Sequence, residues 1–190
     1  MYRVIQIGKW TQAREIADSV RAQRWVFRGQ SDASWTLETK LHREAMKRHV
    51  ELSVTLPYHE RWMLLEFQRA AHHHAGQLPA NEEYLDWLAL MQHYGGPTRL
   101  LDFTHSFYTA AFFAMEDWPH NDMQHAAVYA VNQAVLFEHA KQKFGVLDMR
   151  LDSPEWLKLV NDIVARSVEG KSDPFVLAVE PHRLDVRLTA

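Results

Sequence analysis

Apolar residues recur at helical spacing along most of the chain. Trp10, Ala13, Ile16, Ala17 and Val20 fall on one face of a helix over residues 10–23. Thr11 and Glu15 stand one position off capping-box spacing, so the start of that helix is soft. WVFRG, residues 25–29, is a short strand closed by Gly29, and the turn-like QSDASW follows it. Residues 36–50 read as a helix with Leu37, Leu41 and Met46 inward and Lys40, Arg43, Lys47 and Arg48 outward. Pro57 starts a long helix running through His74. Trp62, Leu65, Phe67, Ala70 and Ala71 form its apolar side, and Gly76 and Pro79 end it. Asn81 is placed to cap the next helix, with Glu82 and Glu83 in its first turn and Tyr84, Leu85, Trp87, Leu88 and Met91 buried. That helix runs into Gln92 and His93 and stops at Gly95-Gly96-Pro97.

In the second half, TRLLDF (98–103) is a strand candidate, and AAVYAVN (126–132) and PFVLAVE (174–180) are strands. Residues 106–116, SFYTAAFFAME, form a helix too apolar on all sides to sit on a surface. Residues 134–143 and 154–168 are helical. The expected fold is α+β: one domain over residues 1–190, with a helix-rich first half and a small mixed or antiparallel sheet.

Composition narrows the classes. Apolar residues make up 47% of the 190, which supports a sizeable core, and the formal charge of −3 gives no general pull toward nucleic acid or anionic membrane. The chain has no cysteine, which excludes disulfides, thiolate zinc sites and a cysteine nucleophile. No apolar run reaches the ~18 residues of a membrane span, and MYRVIQIGKW lacks the apolar stretch of a signal peptide. The expected setting is the cytoplasm, with no membrane partner. Twelve histidines include the run His72-His73-His74. Consecutive helical residues point about 100° apart, so the three do not converge on one ion, and solvated surface is the better reading than a metal hydrolase.

Two segments carry candidate chemistry. In Phe27-Arg28-Gly29-Gln30, an arginine beside a glycine can present its planar fork to two oxygens of a phosphate while the backbone leaves room. The plainer alternative is an arginine that pins a helix end or a carboxylate. The second segment, MQHYGGPTRLLDFTHS (91–106), puts an unusual density of hydrogen-bonding side chains between two apolar stretches. Gln92 and His93 sit at a helix end, Gly95 and Gly96 admit backbone geometry closed to other residues, and Pro97 fixes the exit. In a regular strand Thr98 and Asp102 share one face and Arg99 the other, so Arg99 and Asp102 would not both enter one pocket. Thr104 and Ser106 are placed to cap the helix that follows.

Together these residues resemble the FRG domain, a family named for its Phe-Arg-Gly motif, here Phe27-Arg28-Gly29. The family's longer mark, QHYGxPTRLLDxT followed by an apolar helix, is matched by residues 92–104 and then AAFFA at 110–114. Trp35, Leu37 and Arg43 match a further W-x-L … R segment. Gly96 and Phe103 stand where the family more often has Leu and Trp. The resemblance spans roughly residues 20–185. It also implies a glutamine-containing segment beyond Ala190, so the chain is expected to be a fragment or short form.

The resemblance implies a distant relationship to ADP-ribosyltransferases, with their split sheet, and so an NAD-using transferase or NAD glycohydrolase acting as a bacterial toxin or phage-defence effector. Arg28 would grip the diphosphate, Thr98 or Thr104 would shape the nicotinamide-ribose pocket, and Glu180 would contact the ribose and the acceptor. The catalytic set is then Arg28, His93, Thr98 and Glu180. The nucleotide would lie against Arg28, Gly29, Gln30, Gln92, His93, Tyr94, Thr98, Arg99, Asp102 and Thr104. A protein or a nucleic acid would be the acceptor. The alternative is a regulatory module that binds a nucleotide or nucleic acid without turnover.

Overall fold

A computed structural model describes residues 3–20, 24–50, 55–71, 73, 78–116, 125–151, 153–171 and 175–179. Among them the order is α1 (Trp10–Val20), β1 (Trp25–Gln30), α2 (Lys40–Lys47), α3 (Thr55–Ala71), α4 (Tyr84–His93), α5 (Phe107–Glu116), β2 (Ala127–Asn132), α6 (Gln133–Phe144) and α7 (Pro154–Val168). The fold is α+β and helix-rich, with one two-stranded antiparallel sheet among the described residues. Contacts gather the chain into two compact units, residues 1–36 with 102–136, and residues 37–101 with 137–190.

In the first unit β1 and β2 pair in register from Trp25↔Asn132 to Gln30↔Ala127. Two strands alone are marginal in water, so a covering helix is needed. Here α5 supplies it. A Cβ on Gly29 would run into the Ala110 carbonyl oxygen and the Ala114 amide. Only glycine lets strand and helix backbones approach this closely, and Ala110 and Ala114 are buried beneath it. Phe27 meets Phe107 edge to face, centroids 5.7 Å apart. Asn132 ends β2 and starts α6, its Oδ1 accepting from the amides of Ala134 (3.0 Å) and Val135 (3.3 Å).

The second unit holds the main core, built from Leu64, Trp87, Leu88, Met91, Trp156, Val160 and their neighbours. Each fully buried aliphatic side chain there contributes about 1.5–3 kcal/mol of transfer free energy. Thr39 caps α2 by accepting from the His42 amide. Ser153 caps α7 by accepting from the Trp156 amide at 3.1 Å, with Pro154 in the first turn. Asn161 of α7 accepts from the Leu85 amide and donates to the Glu82 carbonyl, which ties the start of α4 to α7.

Several expectations are corrected. Residues 98–103 are irregular rather than a strand. Pro97 has no amide to donate, and the Leu100 amide donates to Thr98 Oγ1, so local side-chain bonding competes with a ladder. Residues 175–179 are likewise no strand, because no described segment pairs with them. Leu177 and Val179 pack on the core instead. The helix expected over 36–50 is only Lys40–Lys47, because Thr39 caps it, and Leu37 and Met46 are exposed while Leu41 and Ala45 are buried. Asn81 does not cap α4. Glu83 precedes it, and its carboxylate turns back to accept from the Ala80 amide. Trp10, Trp62 and Leu65 are exposed, since α1 buries Ala13 and Ala17 and α3 buries Glu60, Leu64 and Ala71. Helix α5 is apolar all round as read, yet it is half on the surface and Phe113 is exposed. His73 is exposed, while His72 and His74 lie outside the described residues.

Candidate functional site

The first unit contains the Phe-Arg-Gly segment and the end of the longer motif. Side chains alternate along β1, and Phe27 and Gly29 face α5, so Arg28 and Gln30 lie on the opposite face. Directly opposed residues in an antiparallel pair share a face, which puts Tyr129 beside Arg28. The Arg28 guanidinium is half-buried, and its Nη1 donates to the Asp102 carbonyl oxygen at 2.8 Å. Phe27 and Thr104 exchange backbone bonds of 2.7 and 2.8 Å, so the chain leaving the motif is pinned to the outer edge of β1. Arg28, Asp102 and Thr104 are thus brought together within this unit.

Loop 31–36 returns to the same sheet face. The Tyr129 hydroxyl donates to the Trp35 carbonyl at 2.6 Å, and Gln30 Nε2 reaches the Thr36 carbonyl at a longer 3.4 Å. Asp32 organises the loop by accepting from both the hydroxyl and the amide of Ser34. Those two bonds, the hydroxyl's first, hold its carboxyl below the usual carboxylate range. The Thr104 hydroxyl accepts from the Ser106 amide, and Ser106 Oγ accepts from the Thr109 amide, which caps α5 as expected.

The second unit contains residues 92–101, and most of that stretch is explained by how it ends a helix. Gly95 has φ +80°. Its amide donates to the Gln92 carbonyl and that of Gly96 to the Met91 carbonyl, both at 2.8 Å, the bond pattern of a Schellman terminator. Gly96 has no room for a Cβ, which would meet the Met91 side chain and carbonyl. Lys40 Nζ donates to the Gly95 carbonyl at 2.6 Å. Thr98 is fully buried. Its hydroxyl donates to Gln92 Oε1 and its carbonyl accepts from the Leu41 amide. His93 and Tyr94 are exposed and meet edge to face. Tyr94 also lines an apolar pocket of about 140 Å³ with Phe67, Ala70 and Ala71.

Arg99 is engaged inside this unit. Its Nε lies 2.8 and 3.0 Å from the two Glu60 oxygens, Nη2 donates to Glu60 Oε2, and Nη1 donates to Ser167 Oγ. Glu60 is completely buried. This fork-to-carboxylate pair ties the irregular segment to α3 and α7, a structural use of a motif arginine.

Glu180 lies outside the described residues. Tyr129 and Glu60 are the partners that reading the sequence missed. Tyr129 is the one aromatic residue in an Ala/Val strand, and Glu60 stands four residues before Leu64 on the buried side of α3. Both signals were present, but neither residue is near its partner along the chain.

Comparison with the curated proteins and with the solved structures returns no match. The family model described as "FRG domain" matches residues 23–123, more than half of the 190. That span runs from β1 through the Gln92–Thr104 block and α5, and on this match the chain belongs to the FRG domain family.

Proposed function

We propose that this chain is an NAD-using ADP-ribosyltransferase or NAD glycohydrolase, a cytoplasmic effector of the toxin or phage-defence kind. The observation that supports it most is the pairing of Arg28 with Tyr129 on the sheet face away from α5. A guanidinium offers five N–H donors in a planar fork, suited to a diphosphate. The neighbouring phenol, held by its bond to Trp35, offers a flat surface to a nucleoside ring.

In the reaction the bond between nicotinamide nitrogen and ribose C1′ breaks, and nicotinamide leaves with the electron pair. The acceptor's oxygen or nitrogen, on a protein, a nucleic acid or water, bonds to C1′ and gives up its proton. Arg28 and Tyr129 bind and orient, Gln30 lies on the same face of the strand, Gly29 lets the strand pack on α5 behind them, and Thr104 stands at its edge. Glu180 is assigned the contact to ribose and acceptor on its sequence position alone.

One observation favours a second reading, a module that binds a nucleotide or nucleic acid without turnover. The Thr98 hydroxyl, a candidate for the nicotinamide-ribose pocket, is buried and spent on Gln92.

The test is nicotinamide release from NAD by the purified chain, measured beside its melting temperature with NAD and with ADP-ribose. Release together with a raised melting temperature supports the transferase or glycohydrolase. A raised temperature without release supports the binding module. Neither effect overturns both.

A further inference from the structure

Helix α5 is apolar on every side, with Glu116 its one charged residue. Such a helix is stable in water only when both faces are covered. Among the described residues, the chain covers one. Ala110, Ala111 and Ala114 are buried, and strand β1 lies against Ala110 and Ala114. On the other side Tyr108, Phe112 and Met115, at positions i, i+4 and i+7, form a stripe exposed at 49%, 59% and 53%. Phe113 extends it beside Phe112, and Trp10 of α1 extends it beside Tyr108, ring centroids 5.6 and 6.1 Å apart.

We propose that this stripe is the core of an interface between two copies of the chain. Area, composition and charge support a second copy. Five half-exposed large side chains leave roughly 500 Å² of contiguous apolar surface, taking about 200 Å² for each. That is at the upper end of what a monomer shows and suits the apolar centre of a standard interface of about 800 Å² per partner. Its residue types, Trp, Tyr, Phe and Met, are those enriched in interface cores. The stripe carries no charge, so a patch facing its own copy meets no like-charge repulsion.

A two-fold arrangement follows from the helix itself. With two α5 helices antiparallel, Phe112 lies near the axis and meets its own copy. Tyr108 then points toward Met115 of the partner subunit.

The absence of cysteine makes the test direct, because any introduced thiol is the only one in the chain. Phe112→Cys is expected to form a disulfide-linked dimer under mild oxidant, well ahead of Val135→Cys at an exposed position on α6. Light scattering across the micromolar range is expected to show a dimer for the native chain. Phe112→Glu, with an unchanged circular dichroism spectrum, is expected to weaken it by about tenfold or more. A monomeric native chain overturns the proposal, as does cross-linking of Phe112→Cys no faster than Val135→Cys. Association of a monomer with neutral lipid vesicles through Phe112 also overturns it, in favour of a lipid surface.

Discussion

Arg99 gives Nε and Nη2 to both oxygens of Glu60, a carboxylate with no exposed surface. A buried pair adds little over well-packed apolar residues, but losing one partner strands the other's charge. Arg99→Ala is therefore expected to cost about 3–5 kcal/mol, read by urea denaturation, while the double change Glu60→Leu with Arg99→Met regains most of it. If the single variant is as stable as the native chain, Arg99 is not the tie between this segment and α3.

Gly29 is set by proximity. Gly29→Ala drives a methyl into the Ala110 carbonyl, and strand or helix must shift at a cost of about 1–3 kcal/mol. Gly8→Ala, where nothing lies within 4 Å, is the control and is expected to stay within about 0.5 kcal/mol. Equal melting temperatures for the two variants would contradict the close packing of β1 on α5.

Gly95 is set by conformation. Nothing would touch its Cβ, but its φ of +80° is strained for any side chain. Gly95→Ala should destabilise by about 1–2 kcal/mol, and Gly95→Asn by less, since Asn tolerates the left-handed region best. Thermal unfolding of the three proteins checks the order.

Arg28→Lys keeps the charge and loses the fork. Affinity for NAD or ADP-ribose is expected to fall about tenfold, and further in Arg28→Ala, by calorimetric titration. The lost charge-assisted bond to the Asp102 carbonyl is worth about 1.5–3 kcal/mol of stability. A stable Arg28→Ala protein that binds nucleotide normally would remove Arg28 from the site. A large drop in melting temperature would make its role structural.

Asp32 has a lowered carboxyl pKa through its bonds from the hydroxyl and then the amide of Ser34. With the folded value depressed, the turn's contribution is present above the ordinary carboxylate value and fades as pH falls through the lowered one. Ser34→Ala removes the larger of the two bonds, so the Asp32 titration followed by carboxyl NMR is expected to move up toward the ordinary range. An unmoved titration would show that the hydroxyl is not what lowers it.

Local information carried much of the fold. The bounds of α7 follow from Ser153-Pro154 and the Val160, Val164, Val168 spacing, and the end of α4 follows from Gly95-Gly96-Pro97. Caps and terminators act within a few residues of themselves, so the chain states them directly. The short β-branched and aromatic runs in WVFRG and AAVYAVN marked both strands, and the Phe27-Arg28-Gly29 and Gln92–Thr104 motifs marked the family.

The rest depended on partners far along the chain. Residues 98–103 read as a strand candidate, but among the described residues no second strand pairs with them. Thr98 turned instead to Gln92 and Leu41, and Arg99 to Glu60 and Ser167. Tyr129 joins Arg28 only through a register between strands a hundred residues apart. Hydrophobicity said that α5 must be covered, and only the packing of Gly29 against it decided which face the chain covers itself. Periodicity tells which residues avoid water, because that preference belongs to each side chain. Which neighbour excludes the water is a property of the folded pair, and no single stretch of sequence contains it.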